Sequence, residues 1–228
     1  MKLEKITDQS RRRYEDACGT AHALEILGER WALLIMRELM LGPKRFGDLR
    51  ASLPGLSANV LTQRLEGLEA YGVLKRRKLP PPASVQVYEL TEWGLDAEGI
   101  IKTMGFWAAR SPDHDPTLPL SPVSLMMSFR TMFDADKARG ADLTLEFRLG
   151  DEVFTCVVRD GELTNGRGEA ERPDAVITGT PEPIAGIVYG DVDPADMVAG
   201  GALKIEGDMD AVRRFAAFFE LPEKASVS

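Results

Sequence analysis

The sequence predicts an α+β chain in two parts: a mainly helical first half that closes with a short hairpin and one more helix, and a second half built on a mainly antiparallel sheet. Three observations carry this. Apolar residues recur at helical spacing up to about residue 70, whereas from Asp142 they alternate along the chain. Between the two regimes lie Pro112, Pro116, Pro119 and Pro122, which remove backbone donors and block a continuous helix. Charge divides at the same place. Residues 1–110 carry 17 Lys and Arg against 14 Asp and Glu, a net +3, and residues 111–228 carry 11 against 22, a net −11. The expected organisation is one domain at 1–110, a Pro-rich linker at 111–124 and a second domain at 125–228.

In the first half, helices are expected near 18–29, 31–41, 45–52 and 58–70, then a hairpin at about 74–90 and a helix at about 92–110. The helix at 58–70 is the best defined. Ser57 can cap it, and Leu56 and Leu61 stand at the two positions of a hydrophobic staple. At 100° per residue Leu61, Leu65 and Leu68 share one face, Asn59, Gln63 and Glu66 lie opposite, and Val60 and Thr62 flank them. Gly72 can supply a left-handed C-cap. In the second half DLTLEFRL places Leu143, Leu145, Phe147 and Leu149 on one face, and EVFTCVVRD repeats the pattern after a turn at Gly150-Asp151. A further strand is expected at 174–180, helices near 181–190 and 193–200, a strand at 202–206 and a last helix at about 208–220. Gly166-Arg167-Gly168 reads as a turn.

Composition excludes several classes. No apolar run reaches the ~20 residues of a membrane helix, and the first residues lack the apolar stretch of a secretory signal, so a cytoplasmic protein is expected. Cys18 and Cys156, with His22 and His114, match no metal or disulfide spacing, and no cofactor is implied. No nucleophile, base and carboxylate set is present, and the second domain contains no histidine, so an enzyme is not expected.

The outward face at 58–70 begins with small and amide-bearing residues rather than the Glu/Lys pairs that usually solvate a surface helix. Asn and Gln have the geometry to pair with adenine in a major groove. After Gly72 come Lys75, Arg76, Arg77 and Lys78 and then an alternating strand, the pattern of a two-stranded wing with a basic stem. Four consecutive cations repel one another unless something anionic offsets them, and phosphate is the natural partner. With an ordinary surface helix followed by a solvated hairpin with incidental charges as the alternative, the expectation is a winged helix-turn-helix directed at double-stranded DNA. Its candidate contacts are Lys44, Arg45, Ser57, Asn59, Thr62, Gln63, Arg64, Arg76, Arg77 and Lys78.

Cys18, LGERWALLIMREL, GPKRFGDLRASLPGLSANVLTQRLEGLEAYGVLKRR and YELTEWG, in that order, resemble the HxlR-type winged-helix regulators over about residues 15–110. The resemblance implies a homodimer on a palindromic site, with the helices at 28–41 and 100–110 building the interface. Some members use the matching cysteine to sense oxidants or electrophiles. Arg11, Arg12 and Arg13 are near enough in sequence to Cys18 to favour a thiolate, although a lone cysteine is also an ordinary buried apolar residue.

The ending GALKIEGDMDAVRRFAAFF, with DAVITGTPEPIAGIV and the strand pair before it, resembles the sterol-carrier-protein-like fold. That implies a five-stranded sheet covered by helices, with an apolar cavity between them suited to a hydrophobic effector. Met126, Met127, Met132, Met197 and Met209 can line such a cavity or fill core gaps. The leading expectation is a homodimeric regulator modulated by an apolar ligand or by Cys18 oxidation. The alternatives are a lipid-binding or lipid-processing protein whose winged helix serves dimerisation, and a second domain that acts only as an acidic partner surface.

Overall fold

The computed structural model describes residues 14–226. Its first half runs α1 (Gly19–Leu27), α2 (Ala32–Leu39), α3 (Phe46–Ser52), α4 (Ala58–Ala70), β1 (Leu74–Lys78), β2 (Gln86–Leu90), α5 (Glu92–Asp96) and α6 (Glu98–Ala109). Gly28 ends α1 where a Cβ would meet the Leu24 carbonyl oxygen at 2.3 Å, and Trp31, at φ 82°, turns the chain into α2. Ser57 caps α4 by accepting from the Val60 amide, and the staple residues Leu56 and Leu61 are both buried. At the far end Gly72 adopts φ 75°, while the Val73 amide reaches back to the Leu68 carbonyl and closes the helix. β1 and β2 pair antiparallel from Leu74 opposite Leu90 to Lys78 opposite Gln86. Lys44 adds an antiparallel bridge to Tyr88, tying the segment before α3 to the wing. The single helix expected at 92–110 is two, divided at Ala97.

The second half runs α7 (Pro122–Met132), β3 (Asp142–Leu149), β4 (Glu152–Arg159), β5 (Glu162–Arg167), β6 (Ala175–Gly179), α8 (Pro181–Tyr189), α9 (Pro194–Ala199), β7 (Leu203–Gly207) and α10 (Met209–Ala216). The sheet order is β5-β4-β3-β6-β7, and of its pairings only β3 with β6 is parallel. Leu143, Leu145, Phe147 and Leu149 face inward together with Phe154, Cys156 and Val158, all buried. Helices α7, α8 and α10 supply the opposing layer. The rings of Phe129, Phe147, Phe215 and Phe219 meet there at 4.8 to 5.8 Å between centroids. Met126, Met127 and Met132 are buried core residues in the same layer.

Two elements differ from expectation. Gly166 and Arg167 belong to β5, and the turn begins only at Gly168, at φ 125°. Helix α7 starts inside the span read as linker. Ser121 caps it by accepting from the Ser124 amide, and Pro122 occupies its first turn, where a missing N–H costs nothing.

The two halves share one apolar core, because α7 packs on α2 and α6 as well as on β5 and α8. The C-terminal segment adds a strap. The Lys224 ammonium donates to the carbonyls of Ala109, Ser111 and His114, satisfying acceptors at the end of α6, and the Ala225 amide donates to the Arg110 carbonyl.

Candidate nucleic-acid interface

Burial of Leu61, Leu65 and Leu68 fixes the rotation of α4 about its axis, which leaves Asn59, Thr62, Gln63 and Glu66 exposed on one outward face. The Thr62 hydroxyl donates to the Ala58 carbonyl at 3.0 Å, so Asn59 and Gln63 supply the amide groups on this face. Arg64 points elsewhere. Its Nε donates to the Arg30 carbonyl at 3.2 Å and its guanidinium pairs with Glu29 at 2.7 Å, fastening α4 to the corner between α1 and α2. Arg45 is exposed at the start of α3, where its amide donates to the Asp48 carboxylate at 3.4 Å.

Lys44 departs from the expected role. It is 3% exposed, and its ammonium donates to Glu38 at 2.9 Å and to Ser52 Oγ at 3.0 Å, with Glu152 at 3.4 Å. A lysine buried with two hydrogen bonds and a second carboxylate inside the protein does not meet phosphate, so Lys44 belongs to the scaffold. Glu38, fully buried, was not singled out from the sequence. The available signal was a carboxylate inside the otherwise apolar run ALLIMRELM.

The wing carries its cations outward on β1, but Lys75, Arg76 and Arg77 are already offset. Arg76 pairs with Glu69 of α4, and Arg77 and Lys75 pair with Glu89 of β2 at 2.9 and 3.1 Å. Hydrogen bonds from Arg76 and Arg77 hold the Glu69 and Glu89 carboxyls below the ordinary carboxylate range. Self-repulsion of four cations therefore gives no argument for phosphate. These side chains are exposed, and exposed pairs of this kind are weak enough to exchange partners. Lys78 is exposed at the end of the strand.

An apolar stripe runs along α6. Ile100, Met104 and Trp107, spaced on one face, are 47%, 47% and 73% exposed, and Phe106 and Leu24 of α1 are exposed as well. On helix α2, implied as part of a dimer interface, Ala32, Ile35, Met36 and Leu39 are buried and α7 packs against it, while Leu34 is 38% exposed.

Cys18 is exposed at the N-cap of α1, and hydrogen bonding from the Thr20 amide, then from its side chain and from the Ala21 amide, lowers its thiol from the ordinary value. Arg11, Arg12 and Arg13 lie outside the described residues. Cys156 is buried with its Sγ 3.7 Å from Met126 Sδ, and burial pushes its thiol far up. Among the described residues, no three His, Cys, Asp or Glu are grouped to hold a metal, and no helix is long and apolar enough to cross a membrane.

Comparison with known proteins divides the chain at the same place as its charge. Residues 26–115 match the family described as HxlR-like helix-turn-helix, and residues 112–225 the family described as Alkyl sulfatase C-terminal. The HTH-type transcriptional regulator YvaP of Bacillus subtilis is 40% identical over 86 residues, covering 38% of this chain and 80% of that protein. The HTH-type regulator YodB of the same organism is 37% identical over 86 residues, covering 38% of this chain and 77% of that protein. The solved reduced form of YodB superposes with a TM-score of 0.39 at 33% identity, covering 44% of this chain and 100% of that chain. The solved sec-alkylsulfatase Pisa1 from Pseudomonas sp. superposes with a TM-score of 0.39 at 25% identity, covering 41% of this chain but 16% of that enzyme.

Proposed function

The chain belongs to the HxlR-like helix-turn-helix family of DNA-binding transcriptional regulators, and on that premise we propose that it binds a palindromic operator as a cytoplasmic homodimer. The observation that carries the reading is the outward face of α4, with exposed Asn59, Thr62 and Gln63 held by a capped, stapled helix beside a cationic wing. In this reading Asn59 and Gln63 contact base edges, whereas Arg45, Arg76, Arg77 and Lys78 contact phosphate, with Glu69 and Glu89 giving up their partners as the anion arrives. Ser57 and Arg64 act by fixing α4. The apolar stripe of α6 joins two copies, since burial of Trp107 and its neighbours is the simplest use of that surface.

The second half serves as a binding module rather than an enzyme. A small, mainly apolar recess of about 220 Å³ between α8 and Leu118 and Leu120 of the 111–120 segment is where an apolar effector would enter. Exposed, acidified Cys18 is the thiol that oxidants or electrophiles would reach.

The test is titration of labelled duplex DNA across salt concentrations. Replacing Arg76 and Arg77 by Ala weakens binding to all sequences alike and flattens the salt slope, whereas replacing Asn59 or Gln63 changes which base pairs are preferred, by about 1–3 kcal/mol per lost bidentate contact. Wing variants that switched sequence preference would reverse these roles.

A further inference from the structure

At the junction of the two halves, one polar network centred on buried Glu38 and Lys44 joins five elements, α2, α3, α7, β4 and β5. Glu38 of α2 is fully buried, and each of its carboxylate oxygens is engaged. Oε1 accepts from the Ser121 hydroxyl at 2.6 Å and from Arg37 Nη2 and Nε at 2.9 and 3.2 Å, and Oε2 accepts from Lys44 Nζ at 2.9 Å. Lys44 Nζ also donates to Ser52 of α3 and forms an ion pair with Glu152 of β4 at 3.4 Å, and Glu152 is held in turn by Arg167 of β5 at 2.7 Å. Ser121 uses the same oxygen to cap α7, accepting from the Ser124 amide at 3.0 Å. Three of these groups, Ser121, Glu152 and Arg167, come from the second half of the chain.

What Lys44 holds lies on the DNA side. Its own amide donates to the Tyr88 carbonyl at 3.0 Å and its carbonyl accepts from the Tyr88 amide at 2.9 Å, so the main chain at residue 44 is a third edge on the wing. The next residue, Arg45, is the N-cap of α3. Gly42, at φ 116°, brings the same segment against the second half: a Cβ there would lie 3.6 Å from Arg167 Cδ. The segment 42–44 thus sits between wing strand β2 and the β4–β5 edge of the second sheet. The buried Glu38–Lys44 pair at the centre, with every group partnered, has few alternative geometries, because an unpaired member left in a low-dielectric site is costly. Displacing the N-terminus of α7 or the start of β4 would have to move Lys44 with it.

We propose that Ser121 and Glu152 are positioning residues for operator binding: by completing the network around Lys44 they let the second half of the chain set the pose of the wing and of α3. The proposal rests on the operator-binding reading above and gives it a physical route between the two halves.

The experiment uses the full chain and the variants Ser121→Ala and Glu152→Gln. Asp142→Asn is the control, breaking an exposed pair with Arg159 in the same sheet. Each is titrated against the duplex that the unaltered protein selects from a random library, and against that duplex with its half-site spacing changed by about one base pair. Amide hydrogen exchange of residues 74–90 is followed in parallel. Both network variants lose roughly 2–30-fold in affinity, the range of residue-level coupling. They also discriminate less between the two spacings and exchange wing amides faster, while the control changes none of these. Variants that only melt earlier, with affinity, spacing preference and wing protection intact, would make the network structural and overturn the proposal. Should the unaltered protein select no duplex, the operator reading fails by itself. Wing exchange then decides on the network, and unchanged exchange in both variants overturns it.

Discussion

Replacing Lys44 by Met separates a scaffold lysine from a DNA-contacting one. The side chain is 3% exposed, so the substitution trades a buried ammonium for an apolar group of similar length without opening a large cavity. Glu38 Oε2 loses its one hydrogen-bond donor among the described residues, whereas Oε1 keeps Arg37 and Ser121, and Glu152 keeps Arg167. Breaking a buried pair costs about 3–5 kcal/mol, and the surviving partners of Glu38 place this case near the lower bound, about 3 kcal/mol. For a chain of this size each kcal/mol moves the melting midpoint by about 2–4 °C, giving a fall of about 6–12 °C. The double variant Glu38→Leu with Lys44→Met removes both charges and is expected to regain most of the loss, to within about 1 kcal/mol of the unaltered chain. Urea and thermal denaturation followed by circular dichroism measure all three proteins. A Lys44→Met protein of unchanged stability, or a double variant no better than the single one, would refute the buried-pair reasoning.

Trp107→Glu places a carboxylate in the centre of the exposed α6 stripe and should give monomers by light scattering at concentrations where the unaltered chain is dimeric; a dimer that survives it would put the interface elsewhere. Native protein treated with iodoacetamide near neutral pH should be alkylated at Cys18 and not at Cys156. Because hydrogen bonding lowers the Cys18 thiol, its thiolate persists to lower pH than that of an ordinary cysteine, and its alkylation rate should fall away at correspondingly lower pH. Peptide mapping that finds Cys156 modified first would contradict this. Cys18→Ser should bind DNA as before under reducing conditions and lose any inhibition by diamide or a quinone, while equal inhibition of both proteins would remove Cys18 from the mechanism. Asn165→Ala strips the amide that donates to the Met126 carbonyl and accepts from Arg130, and should cost about 1–3 kcal/mol in denaturant titrations; a neutral effect would mean water replaces it.

The parts of the fold legible in the sequence are those where local chemistry and burial agree. Helix α4 has cap, staple, period and C-terminal glycine all pointing the same way, and β3 and β4 alternate cleanly because one face meets the aromatic core. Helix α7 escaped because it is buried on nearly every side, with Val123, Leu125, Met126, Met127, Phe129 and Met132 inside, so no polar face marks its period, and prolines precede it. Strand β5 escaped because its inward residue is Asn165, whose amide is satisfied by Met126 and Arg130, which hides the usual apolar alternation. At the candidate interface, Asn59, Thr62 and Gln63 could be read from helical geometry alone. The burial of Lys44 could not, since its partners Glu38 and Glu152 are supplied by distant segments, and neither could the pairing of the wing cations with Glu69 and Glu89, which depends on the register of β1 with β2 and the placement of α4. The prolines and the change of charge sign marked where the composition changes, but not that α7 and the Lys224 strap fasten the second half to the first.

The central claim is that two copies of the α4 face read DNA together, and selection of bound duplexes from a random library by the purified full-length protein tests it most directly. The account predicts enrichment of an inverted repeat whose half-sites lie one helical turn apart, about 10–10.5 base pairs between centres, and loss of that enrichment for the variant carrying Asn59→Ala and Gln63→Ala. Recovery of duplexes with no common repeat, or the same repeat from the double variant, would contradict it.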